Sequence, residues 1–420
     1  MIRALVIGGG IAGMATAMAL RHAGMEAAVY ESRGSGADGG GAFLTIMANG
    51  LDALRAIDAD GVVVGNSFAS RDVHMRNGRN RGLGVLSIPA PDPARGPRTM
   101  RRADLYRALS DEARRRGVPV EYGRRLTGAD LSTGGVTALF ADGTRAGADL
   151  LIGADGVQSV TRTLIHPGAP RPAYTGWNIV FGLVSYVPVD GGRDSYYMYF
   201  GRRASCGHTV SPDGETWWFA NIPCAERALA SIPPARLRER LAELFAGDRI
   251  PTVEAIAATE DAQITVTPCY QLLSVPTWSR AGMTLVGDAL HVASPVTTQG
   301  ASLAIEDAVT LARCLRDLPD AATAFSAYER LRRERVERVV ASGVRRLGPR
   351  LPKPVQRMLR DLAVARRARR PEVDWLHLHH IDWSANAAAE AAAAEAAATA
   401  AGRPARRDQL SDAVTCRRNS

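Results

Sequence analysis

MIRALVIGGGIAGMATAMALRHAGMEAAVYES, residues 1–32, is the stretch that decides the fold. Ala4 to Ile7 is an apolar run of strand length, and Gly8-Gly9-Gly10-Ile11-Ala12-Gly13 follows it with glycine at the first, third and sixth places. Gly8 allows a tight turn, Gly10 lets backbone amides approach a pyrophosphate, and Gly13 lets the next helix pack close to the strand. Ile11 and Ala12 open that helix, whose unpaired N–H groups and positive dipole end favour phosphates. Ala27 to Tyr30 reads as a second strand, and Glu31 closes it eighteen residues after Gly13. A carboxylate there can accept from both hydroxyls of an adenosine ribose and disfavours a 2′-phosphate. Strand, turn, helix, strand and acid in one register point to a dinucleotide site; they leave NAD and FAD both open. A secretory or membrane segment is the competing reading, and three adjacent glycines, the helical Met14 to Arg21 and the lack of a small-residue cleavage site count against it.

A chain of 420 residues, 46% hydrophobic, has room for two intimately packed domains, and away from the glycine motif no apolar run is long enough to cross a bilayer. The five cysteines, Cys206, Cys224, Cys269, Cys314 and Cys416, are scattered and lack CxxC spacing. That argues against a disulfide framework or a zinc site and for a reducing cytoplasm. The net charge of +9 is local: residues 329–370 hold fifteen basic and four acidic side chains, a net +11, so the remainder is about −2. Nucleic acid is therefore not the expected partner, and stable membrane insertion is not expected either. A solvated helical face is the plain reading of the basic segment, with an acidic partner or a membrane surface as the alternative. Lys353 is the only lysine.

Gly34 to Gly41 is a glycine-rich loop that could let a flat ring lie against backbone, or could simply be flexible. Asp72 to Ile88 reads as a hairpin around Asn77-Gly78, Met100 to Arg116 as a helix start and helix, and Val118 to Tyr122 as a strand. Val136 to Phe140 and Ala148 to Ile152 flank the Asp142-Gly143 turn as a second hairpin, which ends in Gly153-Ala154-Asp155-Gly156. From Tyr174 to about Val266 the texture changes to short strands, interrupted by a helix over Pro234 to Phe245. Met283 to Val286 is again a buried strand, running into Gly287-Asp288, then Ser294 to Ser302, then a helix over Leu303 to Leu315. A helix start at that glycine-containing entry could polarise a ring carbonyl oxygen that gains charge on reduction. Phe325 to Leu347 is an amphipathic helix. Leu376-His377-Leu378-His379-His380 lacks a second ligand cluster and is a poor metal site. Asn386 to Ala401 is mostly alanine, with good helix propensity but little bulk to pack, and reads as a tail, frayed or helical and without chemistry, within a disordered stretch over residues 384–420.

Three separated pieces, Gly8 to Gly13 with Glu31, Gly153 to Arg162, and Gly287 to Gly300 running on to Glu306-Asp307-Ala308, together resemble the single-component FAD-dependent aromatic hydroxylases. These are the p-hydroxybenzoate hydroxylase-like flavoprotein monooxygenases, which include tetracycline-inactivating enzymes, and the likeness spans roughly residues 1–345. It implies an α/β fold: a discontinuous Rossmann-like FAD-binding domain of the GR2 type over residues 1–71, 101–165 and 276–320. Residues 72–100 and 166–275 would form an inserted, largely antiparallel β-sheet substrate domain, and residues 321–383 a C-terminal helical segment. By the same likeness Glu31 would take the adenosine ribose, Leu126 would lie by the adenine, and Gly41 and Arg102 would approach the flavin. Asp155 would lie near the cofactor, in a motif also linked to NAD(P)H use, and Asp288 would bond ribityl hydroxyls. Pro295, Gly300 and Ala301 would border the isoalloxazine. Trp177, Tyr199, Phe200, Trp217 and Trp218 belong to the sheet that would roof the substrate, though alternation lets only some of them face it. Two departures stand out: Thr298-Gln299-Gly300-Ala301-Ser302 replaces the usual Gly-Gln-Gly-Xaa-Asn, and Phe43 stands where a second loop glycine is common.

The function implied is an FAD-dependent monooxygenase, with NAD(P)H as a transient co-substrate and O2 as oxidant. It would hydroxylate or epoxidise a small, mostly apolar aromatic, polyketide or terpenoid compound through a flavin C4a-hydroperoxide. No side chain need act as a nucleophile, so no catalytic residue is assigned. His291, His74 and His208 read as packed or solvent-facing histidines. Alternatives are a flavin-dependent halogenase, a reductase or desaturase of the same fold, and a non-catalytic flavin-binding protein. Against halogenation, Ala220 replaces the second tryptophan of a Trp-Xaa-Trp-Xaa-Ile-Pro pattern at Trp218 to Pro223, and no lysine precedes Lys353.

Overall fold

The computed structural model describes residues 1–34, 42–92, 95–132, 134–185, 187, 189, 192, 194–225, 232–346, 354–368 and 374–400. Gly41 and most of the glycine-rich loop lie outside the described residues. At the centre is a six-stranded sheet in the order Ser279–Arg280, Met283–Leu285, Leu150–Gly153, Arg3–Ile7, Glu26–Glu31, Val120–Tyr122. All neighbours are parallel except the two-residue edge strand Ser279–Arg280. Its middle strands are runs of buried aliphatics rather than alternating ones, because both faces are covered. The register fixes the site: Ile7 pairs with both Tyr30 and Gly153, and Gly153 pairs with Leu285. Gly8, Glu31, Asp155 and Gly287 therefore emerge side by side at the carboxyl edge, where open α/β sheets bind ligands.

The helix Ile11–His22 and the long helix Gly300–Asp317 pack together. A Cβ on Gly287 would lie 2.7 Å from the Ala12 methyl and 3.1 Å from that of Ala304, so the turn carrying Asp288 is wedged between the two helices. A three-stranded antiparallel sheet, Leu126–Ser132, Gly135–Phe140 and Arg145–Ala148, adds Val136, Ala138 and Phe140 to the same core. This differs from the expected hairpin. The strand returning from Asp142-Gly143 is Arg145–Ala148, and Leu150–Gly153 leaves it to join the parallel sheet, because its uninterrupted apolar run suits a strand covered on both faces.

A seven-stranded sheet stands beside this body, in the order Thr265–Gln271, Ala173–Ser185, Glu215–Pro223, Ser205–Val210, Ser195–Phe200, Asp72–Asn77, Gly82–Ser87. It is antiparallel except where Asp72–Asn77 runs parallel to Ser195–Phe200. Helices Pro234–Phe245 and Thr252–Ala258 share a buried cluster with one of its faces, around Trp218, Tyr199, Leu237, Leu241 and Ile256. A small sheet of Phe43–Ile46, Arg98–Arg101 and Phe68–Ala69 meets the other face through an aromatic cluster.

Beyond residue 320 come helices Ala321–Arg346, Pro354–Ala368, Asp374–His377 and Ala387–Ala400. The alanine-rich stretch is helical, one of the two forms expected of it, but it is not a loose tail: Ala387–Ala400 docks on Gly300–Asp317 and Ala321–Arg346 with Ala387 and Ala391 buried, while residues 401–420 lie outside the described residues. Small side chains let the helices approach closely, and Glu390 and Glu395 reach Arg313 (3.0 Å) and Arg330 (3.2 Å). Among the described residues no helix is long and apolar enough to cross a membrane.

Candidate active site

The glycine turn is built as its spacing requires. Gly8 has φ +106°, and a Cβ there would sit 2.4 Å from the Ala154 carbonyl oxygen; one on Gly13 would meet the Gly8 carbonyl oxygen at 1.8 Å. Gly10 faces open space, directly before a helix whose first turn carries no acid. Ile11 and Ala12 begin that helix. Glu31 reaches back across the turn, accepting from the Gly9 N–H (2.7 Å) and the Arg33 N–H (2.8 Å). The result is an open strip of donors bounded by a carboxylate, suited to a pyrophosphate and a ribose. The side chain of Leu126 lies in the core at the start of its strand, beyond Arg124, whose N–H donates to the Glu31 carbonyl.

Asp155 is committed locally. It accepts from Ser159 Oγ (2.5 Å), Thr161 N–H (3.0 Å) and Thr161 Oγ1 (3.1 Å), which holds the start of the helix Val160–Ile165. Arg162 in the same segment is buried and donates to the carbonyls of Ala289 (2.9 Å) and Val157 (2.8 Å). It thus ties the second motif to the third, a link the sequence did not reveal.

Asp288 differs. Its carboxylate has no hydrogen-bond partner among the described residues, and desolvation pushes its carboxyl above the ordinary range, against the pull of His291 and Arg102. Arg102, at the start of the helix Arg102–Arg115, donates from its backbone N–H to Ala42 O (2.9 Å) and from Nε to Tyr106 Oη (2.9 Å). A desolvated carboxylate beside an arginine at the edge of a ligand crevice is a ready acceptor for hydroxyl groups. Further on, Pro295–Thr297 forms a single turn, Thr298 is left-handed at φ +54°, and Gly300 and Ala301 open the helix Gly300–Asp317. A Cβ on Gly300 would meet nothing within 4 Å, and the first turn has no acid, so its N–H end is free to face an anion.

Behind this loop lies a buried charge network that joins the third sequence motif, through Gly287, His291, Gln299, Glu306 and Asp307, to Arg332, Arg335 and Asn49 outside the motifs. Asp307 accepts from the Gly287 N–H (3.0 Å), His291 Nε2 (2.6 Å) and Arg332 Nε (2.9 Å). Glu306 accepts from Arg332 (2.6 Å), twice from Arg335 (2.7 and 2.8 Å) and from Asn49 Nδ2 (2.6 Å). Burial raises both carboxyls, yet the arginines and His291 outweigh it and hold both below their ordinary ranges. Asn49 also donates to Gln299 Oε1 (2.9 Å), and Gln299 pairs with His377 Nδ1 (3.1 Å), so the loop Pro295–Ala301 is braced from behind. His291 is a buried member of this network, and His74 and His208 stack on opposite sides of Tyr197. His377 and His380 turn to Gln299 and Asp52.

The sheet face towards the small sheet is aromatic. Phe43 is buried among Phe181 (5.5 Å between ring centres), Trp217 (5.6 Å), Phe219 (6.2 Å) and Tyr196 (6.5 Å), and Phe68 abuts Trp217 (5.1 Å). Of the five aromatics expected to roof a substrate, only Trp217 joins this cluster. Tyr199 and Trp218 point into the opposite core, and Phe200 lies under Arg360 of the helix Pro354–Ala368. Beside the cluster, Tyr196 Oη bonds Thr45 Oγ1 (3.0 Å) and Thr99 Oγ1 (2.9 Å), and burial pushes its phenol up to about 12. At the cluster's edge Glu215 accepts from Arg101 (2.5 Å) and Trp217 Nε1 (3.1 Å), next to a polar recess of about 210 Å³.

The glycine turn bounded by Glu31, the open helix start at Gly300 and the aromatic sheet face suit a flavoprotein oxidoreductase. The chain belongs to the FAD binding domain family, whose model matches residues 1–342. It is 29% identical to an FAD-dependent urate hydroxylase of Klebsiella pneumoniae over 82% of this chain and 89% of that one. It is 31% identical to a 3-amino-4-hydroxybenzoate 2-monooxygenase, PtmB3, of Streptomyces platensis over 89% and 95%. Its fold superposes on Klebsiella pneumoniae HpxO, solved with FAD and uric acid, with a TM-score of 0.77 at 26% identity, covering 89% and 94% of the two chains. The protein is an FAD-dependent monooxygenase. The open Gly10 turn, the unpartnered Asp288 and the free end at Gly300 fit FAD.

Proposed function

We propose that this enzyme uses NAD(P)H and O2 to hydroxylate or epoxidise a small, mostly apolar aromatic or polyketide-like compound, bound between the aromatic sheet and the Pro295–Ala301 loop. The single observation carrying the substrate class is the ring cluster around Phe43 with one polar patch, Tyr196, Thr45 and Thr99, at its side. Such walls favour a flat apolar body bearing a hydroxyl or carbonyl group.

FAD, when bound, supplies reduction by the nicotinamide, capture of oxygen and its transfer. The chain's own residues bind and orient. The Gly8 to Gly13 turn takes the pyrophosphate, Glu31 the adenosine ribose, and the backbone near Leu126 the adenine. Asp288 would take ribityl hydroxyls, Arg102 would approach the ring system, and Pro295, Gly300 and Ala301 would border it, where the free N–H groups at Gly300 would stabilise charge on a ring oxygen. Asp155 instead holds the start of the helix Val160–Ile165, behind its N-cap Ser159. Tyr196, a donor at neutral pH, orients the substrate's polar group, and the aromatic walls exclude water from the reacting centre. The scattered free cysteines suit action in a reducing cytoplasm.

The test is anaerobic. FAD on the purified protein should bleach with NADH or NADPH once an aromatic substrate candidate is present, and oxygen uptake should then match product formed. Failure of both nucleotides with every candidate, on protein that retains FAD, refutes the reading.

A further inference from the structure

The helix Pro354–Ala368 is amphipathic with its apolar stripe turned to solvent. Its inner face is fixed: Arg360 donates to the carbonyls of Gly201 (3.0 Å) and Phe200 (2.9 Å), and Ala368 packs so tightly on the edge strand Gly82–Ser87 that a Cβ on Gly84 would meet it at 2.5 Å. The other face carries Val355, Met358, Leu359 and Leu362, spaced i, i+3, i+4 and i+7, at 65%, 67%, 55% and 66% exposure. Elsewhere among the described residues, large exposed apolar side chains are spread over separate elements. Nothing in the fold requires this orientation, since a helix serving only as a cover places its stripe inward.

We propose that this stripe docks on an anionic lipid surface. Arg366 and Arg367 are exposed in the helix's last turn, and its one acid, Asp361, is paired with Arg360 at 2.8 Å. The exposed end therefore presents positive charge next to apolar side chains, the pattern that inserts shallowly at an interface and is drawn there by acidic headgroups. Size disfavours a second copy, since four side chains fall far short of the twenty or so residues a side of a stable dimer. Residues 401–420 are themselves basic, with five arginines and two acids. The inference does not depend on which compound the enzyme oxidises.

Purified, FAD-loaded full-length protein should be sedimented with vesicles of phosphatidylcholine alone and of equal parts phosphatidylcholine and phosphatidylglycerol. Binding is expected to the mixed vesicles only and to weaken with salt. Met358→Ser with Leu362→Ser should cut partitioning at least about tenfold, and Arg366→Glu with Arg367→Glu about as much, with flavin content and melting unchanged. Wild-type protein that stays in the supernatant with mixed vesicles, or that binds neutral vesicles equally well, overturns the proposal. So does a dimer in sedimentation velocity that Leu362→Ser abolishes, because a second copy would then cover the stripe.

Discussion

Replacing Arg332 by methionine tests whether the buried charge network holds the cofactor crevice together. Arg332 is 1% exposed and lies between two carboxylates that are fully buried, donating to Glu306 at 2.6 Å and Asp307 at 2.9 Å. Methionine keeps much of the volume and removes the charge. Glu306 would keep Arg335 and Asn49, whereas Asp307 would keep only the Gly287 N–H and His291. Asp307 is thus the orphaned charge, and breaking one side of a buried pair costs about 3–5 kcal/mol. For a chain of this size, with an unfolding entropy of about 2 cal/mol/K per residue, that is a fall of roughly 4–6 °C in Tm. Scanning calorimetry on FAD-stripped protein isolates this loss from stabilisation by bound FAD. A second change supplies the internal control: Asp307→Asn in the Arg332→Met background neutralises the orphan and should raise Tm again. If Arg332→Met melts within about 1 °C of the parent, or the added Asp307→Asn lowers Tm further, the network is not what holds these helices. Because Asp307 also grips the Gly287 amide, the single variant should retain FAD less well than its Tm alone would suggest.

Asp288→Ala removes the unpartnered acceptor beside Arg102 and should weaken FAD binding about 10- to 100-fold, read by titrating flavin fluorescence into stripped protein, with Tm of that protein unchanged. Gly13→Ala sets a methyl carbon 1.8 Å from the Gly8 carbonyl oxygen and should yield protein without FAD, seen as absence of the flavin absorbance band. Phe43→Ala empties the centre of the aromatic cluster, costing about 3–5 kcal/mol in a melt, while admitting bulkier compounds in a binding screen. His379 is pushed down to about 4, chiefly by desolvation and further by Arg335, Arg332 and His380, against Glu306. Between about pH 6.5 and 4 the unfolded chain therefore binds the extra proton, so stability falls as pH falls through that window, by about 1–3 kcal/mol for this partly exposed ring. His379→Gln should flatten that part of a Tm-against-pH curve.

The glycine unit made the parallel sheet legible because its information is local: strand, turn, helix, strand and acid fall within the first 31 residues. The helix Pro234–Phe245 was readable for the same reason, at both ends. What the sequence withheld depends on pairing at a distance. Nothing local distinguishes Arg332 and Arg335 from the other arginines of their helix, and Phe43 gives no sign that it will meet Phe181, Trp217 and Phe219, all more than 130 positions away. Alternation says that Trp217 and Trp218 face opposite ways but not which one faces the small sheet. The docking of the alanine helix was hidden for a different reason: a stripe of small residues has no hydrophobic periodicity to detect, yet smallness is what lets it pack.

The family match ends at residue 342, but the braces of the loop Pro295–Ala301 do not. Gln299 pairs with His377, Arg335 donates to the carbonyls of Trp375 (2.8 Å) and Leu376 (3.2 Å), and Arg316 and Arg313 hold the carbonyls of Trp383 (2.8 Å) and Ala385 (2.9 Å). Each bond joins the C-terminal segment to the helix Gly300–Asp317, its loop or the helix behind it. Arg335 links the two levels, since the same guanidinium bonds Glu306. Moving residues 374–385 away would expose Glu306 to water and leave the Gln299 side chain to Asn49 alone, beside Thr298, whose left-handed backbone already stores strain. The glycine crevice is written in the first thirty-one residues, but the loop Pro295–Ala301 and the helix it opens are braced from residues 375–385.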